Sequence, residues 1–168
     1  QISTGLGFFD HMLHQIAKHG GFGLVLRATG DLEVDSHHLV EDVGLCLGDA
    51  FREALGERRG IVRFGEAHAP LDEALARVVV DLSGRPYCVF DAELPPVVLG
   101  NGFQAEMVRE FCIALSTRGG MNLHAAVLYG ANVHHRIEAL FKALARALKQ
   151  AVRVEGDEIA STKGTLTI

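Results

Sequence analysis

One short pattern occurs twice in this chain and limits what it can become. His37-His38-Leu39-Val40-Glu41 reads His-His-x-x-Glu, and so does His134-His135-Arg136-Ile137-Glu138. At the start of a helix, each pattern sets its first histidine one turn before the glutamate, so those two side chains share a face. That spacing suits two ligands closing on one ion, as in the helical His-x-x-x-His zinc motif. The second histidine points about 100° away around the helix and is placed to reach a different ion. Adjacent histidines at a helix start can also simply pack or cap. Recurrence at matched positions, each time with the glutamate, favours metal ligation.

The repetition extends beyond the motif. His11 precedes Gly20-Gly21, an apolar run and the first motif; Glu110 precedes Gly119-Gly120, an apolar run and the second. His11 therefore corresponds to Glu110, and both are competent ligands. The chain reads as a fused duplication with pseudo-repeats of about 1–85 and 86–168 in one domain, a usual size for a small unit. The candidate ligands are His11, His37, His38, Glu41, Glu110, His134, His135 and Glu138. Imidazole and carboxylate without thiolate favour Mn²⁺, Zn²⁺, Fe²⁺ or Ni²⁺. Two equivalent sets suggest two ions. Because His37 and His38 diverge, one chain is poorly placed to gather every ligand. Self-assembly with ions shared between subunits would resolve this, and closed symmetric oligomers are common.

Periodicity predicts a helix from Phe8 to Lys18 ended by Gly20-Gly21, and helices over His37–Leu55, Ala105–Thr117 and His134–Val152. Strands are expected over Phe22–Thr29, Leu32–Val34 and Asn122–Leu128. Ala74–Leu82 and Tyr87–Leu94 read as a pair joined by Ser83-Gly84-Arg85-Pro86. Leu71–Glu73 reads as a turn. The expected fold class is α+β: an internally duplicated sandwich of two half-domains, each a small antiparallel-rich sheet covered on one face by helices.

The charge balance excludes some functions. A net charge of −5 without a long basic stripe argues against nucleic acid. No apolar run approaches the roughly 20 residues of a membrane span, and no signal segment opens the chain. Cys46, Cys88 and Cys112, odd in number and without a Cys-x-x-Cys pair, read as reduced core residues of a cytoplasmic protein. His14, His19 and His68 read as surface residues. His124, in a strand-like run, reads as packed or hydrogen-bonded.

Ser3-Thr4-Gly5-Leu6, Phe8-Phe9-Asp10-His11-Met12-Leu13, Asp35-Ser36 with the first motif and Asp42, Leu82-Ser83-Gly84-Arg85-Pro86, the second motif through Lys142, and Ser161-Thr162-Lys163-Gly164 together resemble the imidazoleglycerol-phosphate dehydratase family of histidine biosynthesis. The match runs in the family's order over nearly the whole chain. The resemblance implies dehydration of imidazole glycerol phosphate to imidazole acetol phosphate, with two Mn²⁺ ions per active site. It implies a 24-subunit assembly whose sites lie where subunits meet. It maps metal ligands onto His11, His37, His38, Glu41, His134, His135 and Glu138, with Glu110 where many members carry histidine. Phosphate-binding groups map onto Gln15, Arg63, Arg85, Ser161 and Lys163, and an active-site lysine onto Lys142. Arginine forks suit phosphate oxygens. Glu41, Glu138 and Lys142 are the expected proton-handling residues. Members carry a further N-terminal strand, with an active-site glutamate, ahead of the Ser-Thr-Gly-Leu segment; that strand is expected to be missing here. A metal-assembled scaffold or storage shell without catalysis is the alternative, and it has no need of phosphate-binding groups.

Overall fold

The elements run β1 (Ile2–Ser3), α1 (Gly7–Gly20), β2 (Leu26–Arg27), α2 (His37–Leu55), β3 (Phe64–Leu71), β4 (Ala74–Asp81), β5 (Tyr87–Asp91), β6 (Val98–Leu99), β7 (Phe103–Gln104), α3 (Met107–Gly119), β8 (Asn122–Tyr129) and α4 (Val133–Ala151). This computed structural model describes residues 1–166, so the last two residues of the expected domain lie outside the described residues. Each helix follows its apolar period. In α1, Phe8, Phe9, Met12, Leu13 and Ile16 are buried on one side. In α4, Ile137, Leu140, Phe141, Leu144 and Leu148 are buried likewise. Asn132 caps α4 by accepting from the His135 N–H.

The segments β1-α1-β2-α2 and β5-α3-β8-α4 repeat one order, and in each the two strands pair in parallel. A parallel pair needs a crossover connection, here a helix both times. Helices pair between the repeats: α2 lies on α3, and α1 on α4. The first contact is close because α2 presents Gly44 and Gly48 to it. A Cβ on Gly44 would lie 2.8 Å from the Ala114 Cβ, and one on Gly48 would lie 2.8 Å from the Gly119 nitrogen. The second contact carries His11 to His134.

The main sheet has the order β3-β4-β8-β5. Here the structure corrects the expected pairing of Ala74–Leu82 with Tyr87–Leu94. β4 is antiparallel to β3 on one side and to β8 on the other, and β5 lies beyond β8, parallel to it. Alternation marks a strand but carries no information about its partner. β3 was not expected; it forms a hairpin with β4 through the anticipated Leu71–Glu73 turn, where Asp72 has φ 45°. Only Leu26 and Arg27 of the expected 22–29 strand pair, because their partner β1 is two residues long. Residues 32–34 form a turn closed by the Val34 N–H on the Asp31 carbonyl.

Val78, Val80, Leu123 and Ala125 face the helices and are buried. His124 alternates with them, so it lies exposed on the outer face between Val79 and Val89, against expectation. Cys46 is also exposed and not core, while Cys88 is half-buried and Cys112 buried; all three are free.

Candidate metal centre and cationic cavity

Packing of α1 on α4 gathers three of the expected ligands. Glu138 is 8% exposed. Its Oε2 accepts from His11 Nε2 at 3.0 Å and His134 Nε2 at 2.9 Å. Its Oε1 takes Lys142 Nζ at 2.7 Å. The Phe8 ring meets His134 edge-on at 5.0 Å. Burial alone would raise the Glu138 carboxyl pKa, but the bonds from Lys142, His134 and His11 outweigh it and bring the pKa down to about 2. Ligand atoms of His11, His134 and Glu138 all lie within 4.8 Å of one another. Donors held about 2.1 Å from an ion stand roughly 3 to 4 Å apart, so the group fits a divalent cation with little movement.

The other motif forms its own pair, with His37 Nε2 3.7 Å from Glu41 Oε2. The second histidine of each motif turns away, as its helical position requires. His38 Nδ1 donates to Asp31 Oδ2 at 2.7 Å, and His135 Nδ1 donates to Glu73 Oε2 at 2.8 Å. Glu110 pairs with Arg109 at 3.0 Å and joins no three-ligand group among the described residues. His19, expected on the surface, is half-buried and bonded to Gln15 Oε1 at 3.1 Å. Burial and then Lys142 lower its pKa.

A second locus lies at the far end of the sheet. A cavity of about 530 Å³ is lined by Arg63, Ser83, Arg85, Ser161, Thr162 and Lys163, among others. Four of the five expected phosphate-binding residues are therefore together. Arg63, at φ 74°, is held by Asp81, which accepts from its Nε at 2.7 Å and its Nη2 at 3.0 Å. Its Nη1 donates to the Ala160 carbonyl at 2.6 Å, tying the C-terminal segment to the sheet. Behind this region Arg58, 1% exposed, donates to the carbonyls of Leu82, Gly120 and Gly119 at 2.7–2.8 Å. It joins the Ser83–Arg85 loop to the carbonyl end of α3, the end that favours a cation. Asn122 Nδ2 holds the Arg85 carbonyl at 2.7 Å.

Gln15 does not line this cavity. It stands one turn after His11, 3.5 Å from that ring's Nδ1. Gln15 and Lys142 thus accompany the metal group, whereas Arg63, Arg85, Ser161 and Lys163 surround the cavity. The two loci are far apart. The Arg63 N–H bonds the Ala151 carbonyl at the C-terminal end of α4, while Glu138 lies near its start. Glu138 and Ala151 stand thirteen positions apart along the helix, a rise of about 20 Å.

Sequence reasoning missed Ser83, Asp81, Arg58, Asp31 and Glu73. Ser83 sits within a segment singled out for its neighbour Arg85, so inspection of that segment could have found it. Asp81, Arg58 and Glu73 act across 18 to 62 residues and left no local signal.

These features define a class: a duplicated α+β protein with an imidazole–carboxylate group able to hold a metal ion and a separate cationic cavity. A family model described as imidazoleglycerol-phosphate dehydratase matches residues 4–148. An imidazoleglycerol-phosphate dehydratase of Lacticaseibacillus casei is 58% identical over 168 residues, covering 99% of this chain and 86% of the relative. One of Carboxydothermus hydrogenoformans is 53% identical over 164 residues, covering 98% and 85%. The crystal structure of the Staphylococcus aureus dehydratase superposes with a TM-score of 0.85 at 41% identity, over 92% of this chain and 88% of that one. That of the Pyrococcus furiosus protein gives 0.80 at 36% identity, over 99% and 90%. The chain belongs to the imidazoleglycerol-phosphate dehydratase family, whose members are hydro-lyases.

Proposed function

We propose that this chain dehydrates D-erythro-imidazole glycerol phosphate to imidazole acetol phosphate in L-histidine biosynthesis, with two Mn²⁺ ions per active site. The observation that carries the reading is the coexistence of the His11–His134–Glu138 group with a cavity built from Arg63, Arg85, Ser161 and Lys163. A substrate with imidazole at one end and phosphate at the other needs both. The ligands would be His11, His37, His38, Glu41, Glu110, His134, His135 and Glu138, within one domain whose pseudo-repeats span about 1–85 and 86–168.

The reaction takes a proton from a carbon with no adjacent carbonyl, so the charge must pass to the substrate's ring. Bound Mn²⁺ would supply Lewis acidity toward that ring. Arg63, Arg85, Ser161, Lys163 and Gln15 fix the phosphate and so the ring's distance from it, an orientation contribution. Glu138, held ionised by its bond to Lys142, can relay a proton but not retain one; Lys142 can donate one, and Glu41 is the equivalent carboxylate of the other repeat.

Roughly 20 Å of helix between metal group and cavity far exceeds the three-carbon chain joining ring to phosphate. This separation supports active sites completed by a second subunit, within a homo-oligomer that we propose is the 24-mer. The divergence of His38 and His135 supports the same arrangement. A cytoplasmic location is part of the proposal; among the described residues no helix is long and apolar enough to cross a membrane.

The test is to strip the protein with chelator, restore Mn²⁺, and follow imidazole acetol phosphate formation alongside bound metal. Turnover should appear only with metal. A protein that binds two Mn²⁺ per chain yet forms no product would defeat the reading.

A further inference from the structure

The second histidines of the two motifs are held in the same way by residues that the repeat does not share. Asp31 lies in the loop before α2, seven residues ahead of its histidine. Glu73 lies in the β3–β4 turn, 62 residues ahead of its own. In both cases a carboxylate oxygen accepts from Nδ1, at 2.7 and 2.8 Å. A carboxylate offers only lone pairs, so it fixes the proton on Nδ1 and leaves the Nε2 lone pair available. His135 Nε2 is 3.9 Å from Asp72, beyond hydrogen-bond reach. Glu73 does more than orient one ring. Its Oε1 also accepts from the Ala131 and Asn132 N–H groups, at 3.1 and 2.7 Å. The β3–β4 turn is thereby fastened to the start of α4, where the second motif begins.

We propose that Asp31 and Glu73 are positioning residues that lock His38 and His135 in the tautomer and ring orientation needed to donate Nε2 to a divalent cation. The proposal rests on the reading of His38 and His135 as metal ligands. Independent recruitment of a carboxylate in each repeat, once locally and once from a distant turn, is what a shared requirement produces. Outer carboxylates of this kind fix ligand tautomers and raise ligand basicity.

An amide tests the idea at constant shape. In Asp31→Asn or Glu73→Gln, the side-chain NH₂ can donate to Nδ1, which drives the ring proton onto Nε2 and removes the donor pair. Glu73→Gln keeps a carbonyl for the two N–H groups at the start of α4. Metal-stripped full chain would be titrated with Mn²⁺ by calorimetry, and ring tautomers read from ¹⁵N shifts. Each variant should bind Mn²⁺ about 10- to 100-fold more weakly, with Nε2 newly protonated. Asp31→Glu should recover part of the loss. Should Glu73→Gln disturb folding, Asp31→Asn in its exposed loop decides the matter alone. His38→Asn and His135→Asn separate the two readings. If they lower Mn²⁺ binding while both amide variants bind within about twofold of the parent, far below that range, this inference is overturned and the ligand assignment stands. If the histidine variants bind Mn²⁺ normally, both fall.

Discussion

Replacing Glu138 by glutamine should destabilise the metal-free protein by an amount the structure lets one work out. The carboxylate is nearly buried and is bonded to His11, His134 and Lys142, which lowers its pKa from 4.5 to about 2. A depressed folded-state pKa means stability that is present above the unfolded value and lost as pH falls through the folded one. Between those values Glu138 carries about 3 kcal/mol at neutral pH. Glutamine retains an acceptor for Lys142, but it loses the charge and turns an NH₂ toward the histidines. With a urea slope of about 2 kcal/mol per molar, the midpoint should fall by roughly 1.5 M. The assay is urea unfolding of chelated parent and variant by circular dichroism, at one protein concentration because assembly contributes to stability. The gap should be widest near pH 7 and close between pH 4.5 and 2. A midpoint shift below about 0.3 M at pH 7, a small fraction of the expected change, would show that the carboxylate is not held as described. With Mn²⁺ restored, turnover should be lost while binding of inorganic phosphate, followed by calorimetry, persists. An unchanged kcat would remove Glu138 from the chemistry.

Arg85→Ala should raise KM about 10- to 100-fold with little change in kcat, since a lost arginine–phosphate fork weakens ground and transition states alike; an unaffected KM would exclude it from the phosphate site. Gly65→Ala should cost about 3 kcal/mol or more, because its Cβ would intrude on the Ala147 carbonyl and lift β3 from α4; a melting temperature like the parent's would contradict that packing. The hydrogen bond that His135 donates to Glu73 raises the His135 pKa above 6.5. In metal-free protein that contribution is complete below pH 6.5 and disappears as pH rises through the raised value. Glu73→Gln should flatten this part of the stability–pH curve measured by urea midpoints, and an identical curve would count against the contact.

The helices were legible in the residues because their signal is local. Apolar spacing, Gly20-Gly21 and Gly119-Gly120, and the paired His-His-x-x-Glu motifs each lie within a few turns. The first histidine and glutamate of each motif do share a face, and the second histidine does diverge. Pairing was less legible. Tyr87–Asp91 alternates like any strand, and nothing in it shows that β8 would lie between it and β4. His124 alternates correctly yet faces outward, because facing depends on which side of the sheet the helices cover.

The same division holds at the site. Residue type and helical spacing by themselves determined a duplicated α+β chain with imidazole and carboxylate donors in two sets, and resemblance picked out the residues proposed to bind phosphate. Only the tertiary structure decided that α1 lies on α4, which puts His11 against Glu138 and His134. It also decided that Arg63, Arg85, Ser161 and Lys163 gather at the other end of that helix, and that Asp31 and Glu73 hold the second histidines. Spacing fixes which side chains share a face over one or two turns. Contacts between residues tens of positions apart follow from how buried faces pack against one another, and no local pattern encodes that.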